Sequence, residues 1–259
     1  MLLSYIWAIL HGLLWTGGMQ ASPISSTPQN MDIFLVIGQS NMAGRAEITA
    51  DLQDPIPGVY LFTGLADSLW IPARNPLNGY STIRKEKAMQ RLGPAYNFAK
   101  TLRTHDPSRE IGLVVNAKGG TALAEWMPDS HFYQEAVKRI KMASQNGIIR
   151  GVIWHQGESD LGNLSDYLTR LERLIQQLRT DLGVPDLPFV AGHIAEDQPG
   201  RDVFNKMIDQ LPQQVAYTGV VHAGGTQTFD QVHFDTESQL LMGQRYGEKM
   251  LKLLQIGKQ

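Results

Sequence analysis

The chain has 259 residues, of which 42% are hydrophobic and 19% are charged, and its formal net charge is −2. This composition is typical of a folded domain, and the near-neutral charge argues against a protein that binds nucleic acid through its phosphates. Because the sequence has no cysteine, disulfides, thiolate zinc sites and a cysteine nucleophile are excluded.

The first 21 residues predict a secretory signal peptide. Residues from Met1 to Trp15 are almost all apolar, and small residues follow up to Ala21. The alternative is an uncleaved membrane anchor, but the apolar stretch is shorter than the roughly 20 residues that span a bilayer. Residues 22–31 then read as a polar lead-in, and residues 32–259 as one domain. We therefore expect a secreted or periplasmic protein without stable membrane insertion.

Apolar, β-branched runs alternate with amphipathic stretches along the rest of the chain. Five runs predict strands, namely Ile33–Ile37, Ile111–Val115, Gly151–Trp154, Phe189–Ala191 and Val215–Val221. Four amphipathic stretches between and after them predict helices that begin near Pro94, Phe132, Ser165 and Thr236. Such alternation predicts an α/β fold with helices on both faces of one parallel sheet. The stretch Ala43–Arg91 does not fit the alternation, and we expect it to be a long loop or insertion over one sheet edge.

Four polar clusters follow predicted strands or precede the last helix. Ligands of parallel sheets bind beyond the carboxyl ends of the strands, so we expect these clusters to meet at one rim. They are Gly38–Met42, Asn116–Thr121, His155–Asp160 and Asp230–His233.

Ser40 and His233 are the candidates for a nucleophile and its base. A serine hydroxyl needs a base to take its proton, and neutral imidazole suits this role near pH 7. Among the histidines after residue 21, His233 alone has an aspartate, Asp230, three residues earlier in a loop beside a helix start. Both features also have structural interpretations, since serine and aspartate are common helix caps.

Two other clusters indicate stabilisation of an oxyanion. The pair Gly119-Gly120 allows a close approach of backbone N–H groups, although an ordinary turn is an alternative. The segment from His155 to Asp160 is more polar than a cap or turn needs, and the amide of Gln156 can donate a hydrogen bond.

Together, GQSNM, the Gly-Gly loop, HQGESD and the terminal DxxH resemble the SGNH-hydrolase superfamily. Within it they are most similar to the sialate O-acetylesterase and acetylxylan esterase group of carbohydrate esterases. The resemblance extends from Asp32 to about Leu254. It implies a flavodoxin-like, three-layer α/β/α fold and metal-independent hydrolysis of O-acetyl esters on oligo- or polysaccharides, with no cofactor.

The resemblance also implies roles for individual residues. Ser40 would be the nucleophile and His233 the base, oriented by Asp230 or, alternatively, by Glu158. The backbone N–H groups of Ser40 and Gly120 would contribute to the oxyanion hole. The wider superfamily has an asparagine in its third block, where this chain has Gln156, and the Gln156 side chain is our candidate for the third donor. Four neighbouring residues are expected to contact the substrate, namely Gln39, Asn41, Gly119 and His155.

Two other functions remain as alternatives. A metal-dependent hydrolase would use His155 and Glu158 together with His193, His222 or Asp160. A sugar-binding protein without catalysis would stack pyranose rings on Trp70, Trp126 or Trp154. No pattern in the sequence indicates an oligomeric state.

Overall fold

The computed structural model describes residues 28–256, and in this part of the chain seven strands form one sheet. The predicted signal peptide and most of the polar lead-in lie outside the described residues. No helix in residues 28–256 combines the length and apolarity that crossing a bilayer requires. In chain order, the elements are β1 Met31–Gly38, α1 Ser40–Ala43, β2 Val59–Phe62, β3 Trp70–Pro72, α2 Ala95–His105, β4 Ile111–Val115, α3 His131–Ala143, β5 Gly147–His155, α4 Tyr167–Leu182, β6 Phe189–Gly192, α5 Arg201–Ile208, α6 Leu211–Gln214, β7 Thr218–Val221 and α7 Thr236–Ile256.

The strand order is β3-β2-β4-β1-β5-β6-β7, and every neighbouring pair is parallel except β2 with β3. Strand β1 lies at the centre and is buried on both faces, which explains its continuous apolar sequence. Phe34 and Val36 point into one core, whereas Ile33 and Leu35 point into the other. This alternation produces two hydrophobic cores, one on each side of the sheet.

Helices cover both faces of the sheet. Helices α2 and α7 pack on the side of Phe34, where Phe98 of α2 meets Phe34 edge to face with ring centroids 5.2 Å apart. Helices α3, α4 and α5 pack on the opposite side, through residues such as Ile140, Leu174 and Phe204. The predicted three-layer α/β/α fold is therefore confirmed.

The stretch Ala43–Arg91 is more ordered than the sequence predicted. It contains β2, which pairs in parallel with β4, and β3, which closes that edge of the sheet antiparallel to β2. These strands have only four and three residues, so neither shows a periodic apolar run long enough to recognise. The interpretation of this stretch as a loop was wrong for these two strands.

Candidate active site

Ser40 lies at the carboxyl end of the central strand β1, where the chain turns sharply into the short helix α1. Gly38 allows this turn, because its φ of 138° is rarely adopted by residues with a side chain. A Cβ on Gly38 would lie 2.2 Å from the carbonyl oxygen of His155 on β5. The close approach of β1 and β5 therefore brings Ser40 to the point where both strands end.

Asn41, the residue after Ser40, holds the loop that carries His233. Its Nδ2 donates to the carbonyl oxygen of Val232 at 3.0 Å, and its Oδ1 accepts from the backbone N–H of Phe234 at 3.0 Å. These hydrogen bonds fix the backbone immediately before and after His233. Two predicted catalytic residues that are far apart in the sequence are thus brought into one site.

The imidazole of His233 has one nitrogen engaged and one free. Nδ1 lies 2.6 Å from Asp230 Oδ2, and Asp230 Oδ1 accepts from the backbone N–H groups of Val232 and His233. An acceptor at Nδ1 keeps the ring hydrogen there and leaves Nε2 as the basic nitrogen. Within residues 28–256 no protein group is hydrogen-bonded to Nε2, and the distance from it to Ser40 Oγ is not a hydrogen-bonding one.

The carboxylate of Asp230 keeps its negative charge. Partial burial works to raise the pKa of Asp230, but the hydrogen bonds from His233 and Val232 outweigh it and hold the pKa below its ordinary value. A charged carboxylate at Nδ1 stabilises the imidazolium that forms when Nε2 takes a proton.

The backbone N–H groups of Ser40 and Gly120 are among those at the site that have no acceptor in the described part of the chain. Gly119 packs directly against Ser40, since a Cβ on Gly119 would lie 3.2 Å from Ser40 Cβ. The Gly-Gly loop after β4 and the start of α1 therefore border the same space.

Gln156 is buried, and the hydrogens of its side-chain amide are already used inside the protein. Its Nε2 contacts three acceptors, Asp160 Oδ2 at 2.5 Å, Thr121 O at 3.0 Å and Gln39 Oε1 at 3.3 Å. Because the amide has only two hydrogens, none is left for an oxyanion. The structure thus gives Gln156 a different partner from the oxyanion that the sequence suggested.

Gln39 is oriented by this contact. The acceptors Asp160 and Thr121 O require that Gln156 turns its Nε2 toward them, so Gln39 must turn its Oε1 toward Gln156. Gln39 is only 2% exposed, but its Nε2 has no acceptor in residues 28–256 and keeps a small accessible surface. The residue before Ser40 therefore carries free side-chain donors.

Glu158 and His155 form a buried pair that supports Asn41. Glu158 Oε1 accepts from Asn41 Nδ2 at 2.6 Å and lies 3.6 Å from His155 Nε2. Burial works to raise the pKa of Glu158, but His155 and Asn41 outweigh it and hold the pKa below its ordinary value. Glu158, the alternative acid for His233, thus has other partners in the structure, whereas Asp230 contacts the imidazole directly.

The four residues that were expected to contact the substrate, Gln39, Asn41, Gly119 and His155, are all buried, and two of them are engaged inside the protein. Asn41 and His155 are each 1% exposed. The amide of Asn41 is used by Glu158, Val232 and Phe234, and His155 Nδ1 lies 3.1 Å from the hydroxyl of Tyr246. Burial keeps both residues from contacting a substrate. Their hydrogen bonds to Glu158, Val232, Phe234 and Tyr246 stabilise the site from inside the protein.

The tryptophans proposed for a sugar-binding protein are part of the core. Trp126 and Trp154 are completely buried and pack edge to face, with ring centroids 5.5 Å apart. Trp70 is also buried, and its Nε1 donates to Asn146 Oδ1. None of the three presents a ring face to a pyranose.

The ligand set proposed for a metal-dependent hydrolase does not assemble. Asp160 is bonded to Gln156 and to the backbone of Leu123. Within residues 28–256, His155 and Glu158 do not form a potential metal site with His193 or His222.

Phe229 is a site residue that the sequence analysis missed. Its ring stacks on His233, with centroids 5.9 Å apart, and its side chain is 57% exposed. A single aromatic residue in a loop belongs to no periodic pattern, so its place directly before Asp230 was the one available indication.

Asn41→Ala is expected to lower both stability and kcat. The variant loses the hydrogen bonds that hold the His233 loop. The backbone N–H of Phe234 and the Glu158 carboxylate each lose a hydrogen-bond partner, which should lower the free energy of unfolding by about 1–3 kcal/mol. The measurements are urea unfolding and kcat on an acetyl ester. Asn97→Ala is the matched control, because Asn97 also bonds a backbone carbonyl oxygen, that of Leu240, away from the site. An Asn41→Ala protein that loses stability like the control yet keeps its kcat would argue against the positioning role.

Comparison with solved structures places this fold among those of carbohydrate esterases. The chain is similar to the X-ray structure of the Arabidopsis thaliana protein AT4G34215, with a TM-score of 0.77 and 31% identity over 87% of this chain and 99% of that one. It also shares the fold of a carbohydrate acetylesterase from Xanthomonas citri, with a TM-score of 0.62 and 19% identity over 86% of this chain and 57% of that one.

The sequence comparisons identify the family. Residues 30–252 match the model of the family described as carbohydrate esterase, sialic acid-specific acetylesterase. The chain is also 34% identical over 248 residues to the protein named "Probable carbohydrate esterase At4g34215" from Arabidopsis thaliana, covering 88% of this chain and 93% of that protein. The chain belongs to this family of carbohydrate esterases and is a carbohydrate O-acetylesterase, as its motifs indicated.

Proposed function

We propose that this enzyme removes acetyl groups from carbohydrates through an acyl-enzyme mechanism that uses Ser40, His233 and Asp230. The observation that supports the proposal is the bridge of hydrogen bonds from Asn41 to both sides of His233. These bonds hold the His233 loop against Asn41, the neighbour of Ser40. The imidazole of His233 has a charged partner, Asp230, at Nδ1 and no protein partner at Nε2 in the described residues.

The reaction has two steps that share one proton path. His233 Nε2 takes the hydroxyl proton of Ser40 as Oγ attacks the acetyl carbonyl carbon; the ester C–O bond then breaks, and His233 returns the proton to the departing sugar oxygen. Water attacks the acetyl-serine next, with His233 again taking and returning the proton, and acetate leaves. Asp230 stays ionised throughout and stabilises the imidazolium. Ser40 Oγ and His233 Nε2 are not hydrogen-bonded to each other in the described residues, and catalytic hydrogen bonds of this kind are often long in a free enzyme and shorten when the substrate binds.

The oxyanion of each tetrahedral intermediate accepts hydrogen bonds from the backbone N–H groups of Ser40 and Gly120, which lack protein acceptors in the described residues. Gln39 supplies the third donor in our proposal, in place of Gln156. The support for this assignment is that Gln156 has no hydrogen to spare, whereas Gln39 Nε2 has no acceptor.

Gln39→Ala is therefore expected to lower kcat about a hundredfold with little change in KM, because one oxyanion donor contributes about 3 kcal/mol to the transition state. Steady-state kinetics on an acetyl ester measure this effect. Gln177→Ala, which removes an amide on α4 that bonds Asp181, is the control and should keep the wild-type kcat. A Gln39→Ala enzyme with unchanged kcat would assign the third donor elsewhere.

The substrate in this proposal is an O-acetylated oligo- or polysaccharide. Phe229 offers an exposed aromatic face beside His233, on which the apolar face of a sugar ring can pack. Acetate release from acetylated xylan, O-acetylated sialosides and acetylated cello-oligosaccharides tests the proposal and ranks the sugars. Turnover of p-nitrophenyl acetate without acetate release from any acetylated sugar would contradict a carbohydrate substrate.

We also propose that the protein is exported. The apolar segment from Met1 to Trp15 supports it. A mature protein that begins at Ser22 and is recovered from the periplasm or the medium is the expected result.

A further inference from the structure

A second polar cluster lies at the same rim of the sheet, beyond strands β6 and β7. His193 directly follows β6, His222 directly follows β7, and Asp209 directly follows α5. Gly192 and Val221 are paired in the parallel ladder, so the histidines that come next emerge side by side. Their rings are stacked, with centroids 4.6 Å apart.

The spacing of the ligand atoms suits a metal ion. One nitrogen from each histidine and one carboxylate oxygen of Asp209 all lie within 4.8 Å of one another. Asp209 Oδ1 is 2.8 Å from His193 Nε2 and 3.7 Å from His222 Nε2. Zinc bonds of about 2.0–2.1 Å in a tetrahedral arrangement separate neighbouring ligand atoms by about 3.3 Å. The three ligand atoms are close enough to share an ion once the two stacked rings turn toward it.

The surroundings of His193 also favour the binding of a cation. The side chain is 4% exposed, and its Nδ1 is buried without a hydrogen bond, with Glu196 Oε1 at 3.5 Å. A neutral imidazole has one N–H, yet His193 faces a carboxylate at each nitrogen, Asp209 at Nε2 and Glu196 at Nδ1. A cation bound by Nε2 and Asp209 would place the ring hydrogen on Nδ1, toward Glu196, as is usual for histidine ligands whose second nitrogen faces a carboxylate.

The cluster is open to solvent on its other side. The side chains of Asp209 and His222 are 39% and 67% exposed. An ion can therefore enter, and water can complete its coordination, as in zinc sites with three protein ligands.

We propose that His193, Asp209 and His222 form a zinc-binding site that is separate from Ser40 and His233. Two imidazole nitrogens and one carboxylate oxygen are a donor set that zinc accepts and that Mg²⁺ does not favour. The ion ties β6, β7 and α5 together. Helix α5 begins at Arg201, which donates to the carbonyl oxygen of Gln231 in the loop of Asp230 and His233, so the bound ion stabilises that loop as well.

The test uses the untagged chain, because a histidine tag would itself bind zinc. After treatment with EDTA and removal of the chelator, Zn²⁺ is titrated against a fluorescent zinc chelator, and Tm is measured with Zn²⁺ or Mg²⁺. We expect one zinc per chain, a higher Tm with Zn²⁺ and no rise with Mg²⁺. His222→Ala is expected to weaken zinc binding at least tenfold and to abolish the rise in Tm.

Two further variants keep the result interpretable. Asp209→Asn should weaken zinc binding like His222→Ala, and His105→Ala, which removes an exposed histidine on α2, should bind zinc like the wild type. The proposal is overturned if the wild type binds no zinc below 100 µM, which is about 5.5 kcal/mol of binding free energy. It is also overturned if His222→Ala and Asp209→Asn bind as tightly as the wild type.

Discussion

Ser40→Ala is expected to lower kcat for acetate release at least a thousandfold, with KM changed little. The variant removes the oxygen that forms the acyl-enzyme, while the backbone N–H groups of Ser40 and Gly120 remain to polarise the ester. The residual rate should therefore exceed the uncatalysed rate without reaching that of the wild type. Initial rates with p-nitrophenyl acetate and with an acetylated xylan measure the effect, and a burst of p-nitrophenol in the wild type but not in the variant identifies the covalent step.

Ser165→Ala is the matched control, because it removes an exposed serine hydroxyl whose hydrogen bond is to Asn163. It should keep wild-type rates. Circular dichroism should show the same Tm for Ser40→Ala as for the wild type, since Ser40 Oγ has no hydrogen-bond partner in the described residues to lose. A folded Ser40→Ala protein with wild-type turnover would remove the hydroxyl from the mechanism.

Asp230→Asn is expected to lower kcat by about three to four orders of magnitude, as the equivalent change does in serine proteases. The asparagine can still accept from the backbone N–H groups of Val232 and His233 through its oxygen, so the loop should keep its shape. Its NH2 group would face His233 Nδ1 and favour the tautomer with the hydrogen on Nε2, which cannot take a proton from Ser40. The split between kcat and KM reports this effect, because binding should be nearly unchanged.

Glu158→Gln separates the two acids that the sequence offered for His233. The glutamine oxygen can still accept from Asn41, so we expect a fall in kcat of no more than tenfold. Removing the charge beside His155 in a buried setting should lower the Tm instead. If the folded Glu158→Gln enzyme loses as much activity as Asp230→Asn, the acid that acts on His233 is Glu158.

Local sequence patterns determined the central architecture. Strands β1 and β4 and helix α7 were predicted close to their observed bounds, because burial on both faces produces continuous apolar runs and an amphipathic helix has its own period. Strands β2 and β3 were missed, because each is too short to carry a period and is stabilised by pairing with neighbours. Only the pairing of β2 with β4, and of the edge strand β3 with β2, identifies them.

The sequence by itself determined which residue types meet at the rim, since polar clusters after parallel strands necessarily share one edge. It therefore yielded Ser40, the Gly-Gly loop, Asp230 and His233 as candidates, together with the family. Only the tertiary structure decided how the side chains are used. In the structure Asp230 contacts His233, and Glu158 accepts a hydrogen bond from Asn41. The amide of Gln156 donates to Asp160, and His193 and His222 lie close to Asp209. A hydrogen bond forms only when the distance between donor and acceptor is right to within a few tenths of an ångström. The two groups are often more than a hundred residues apart in the sequence, and no local pattern carries that information.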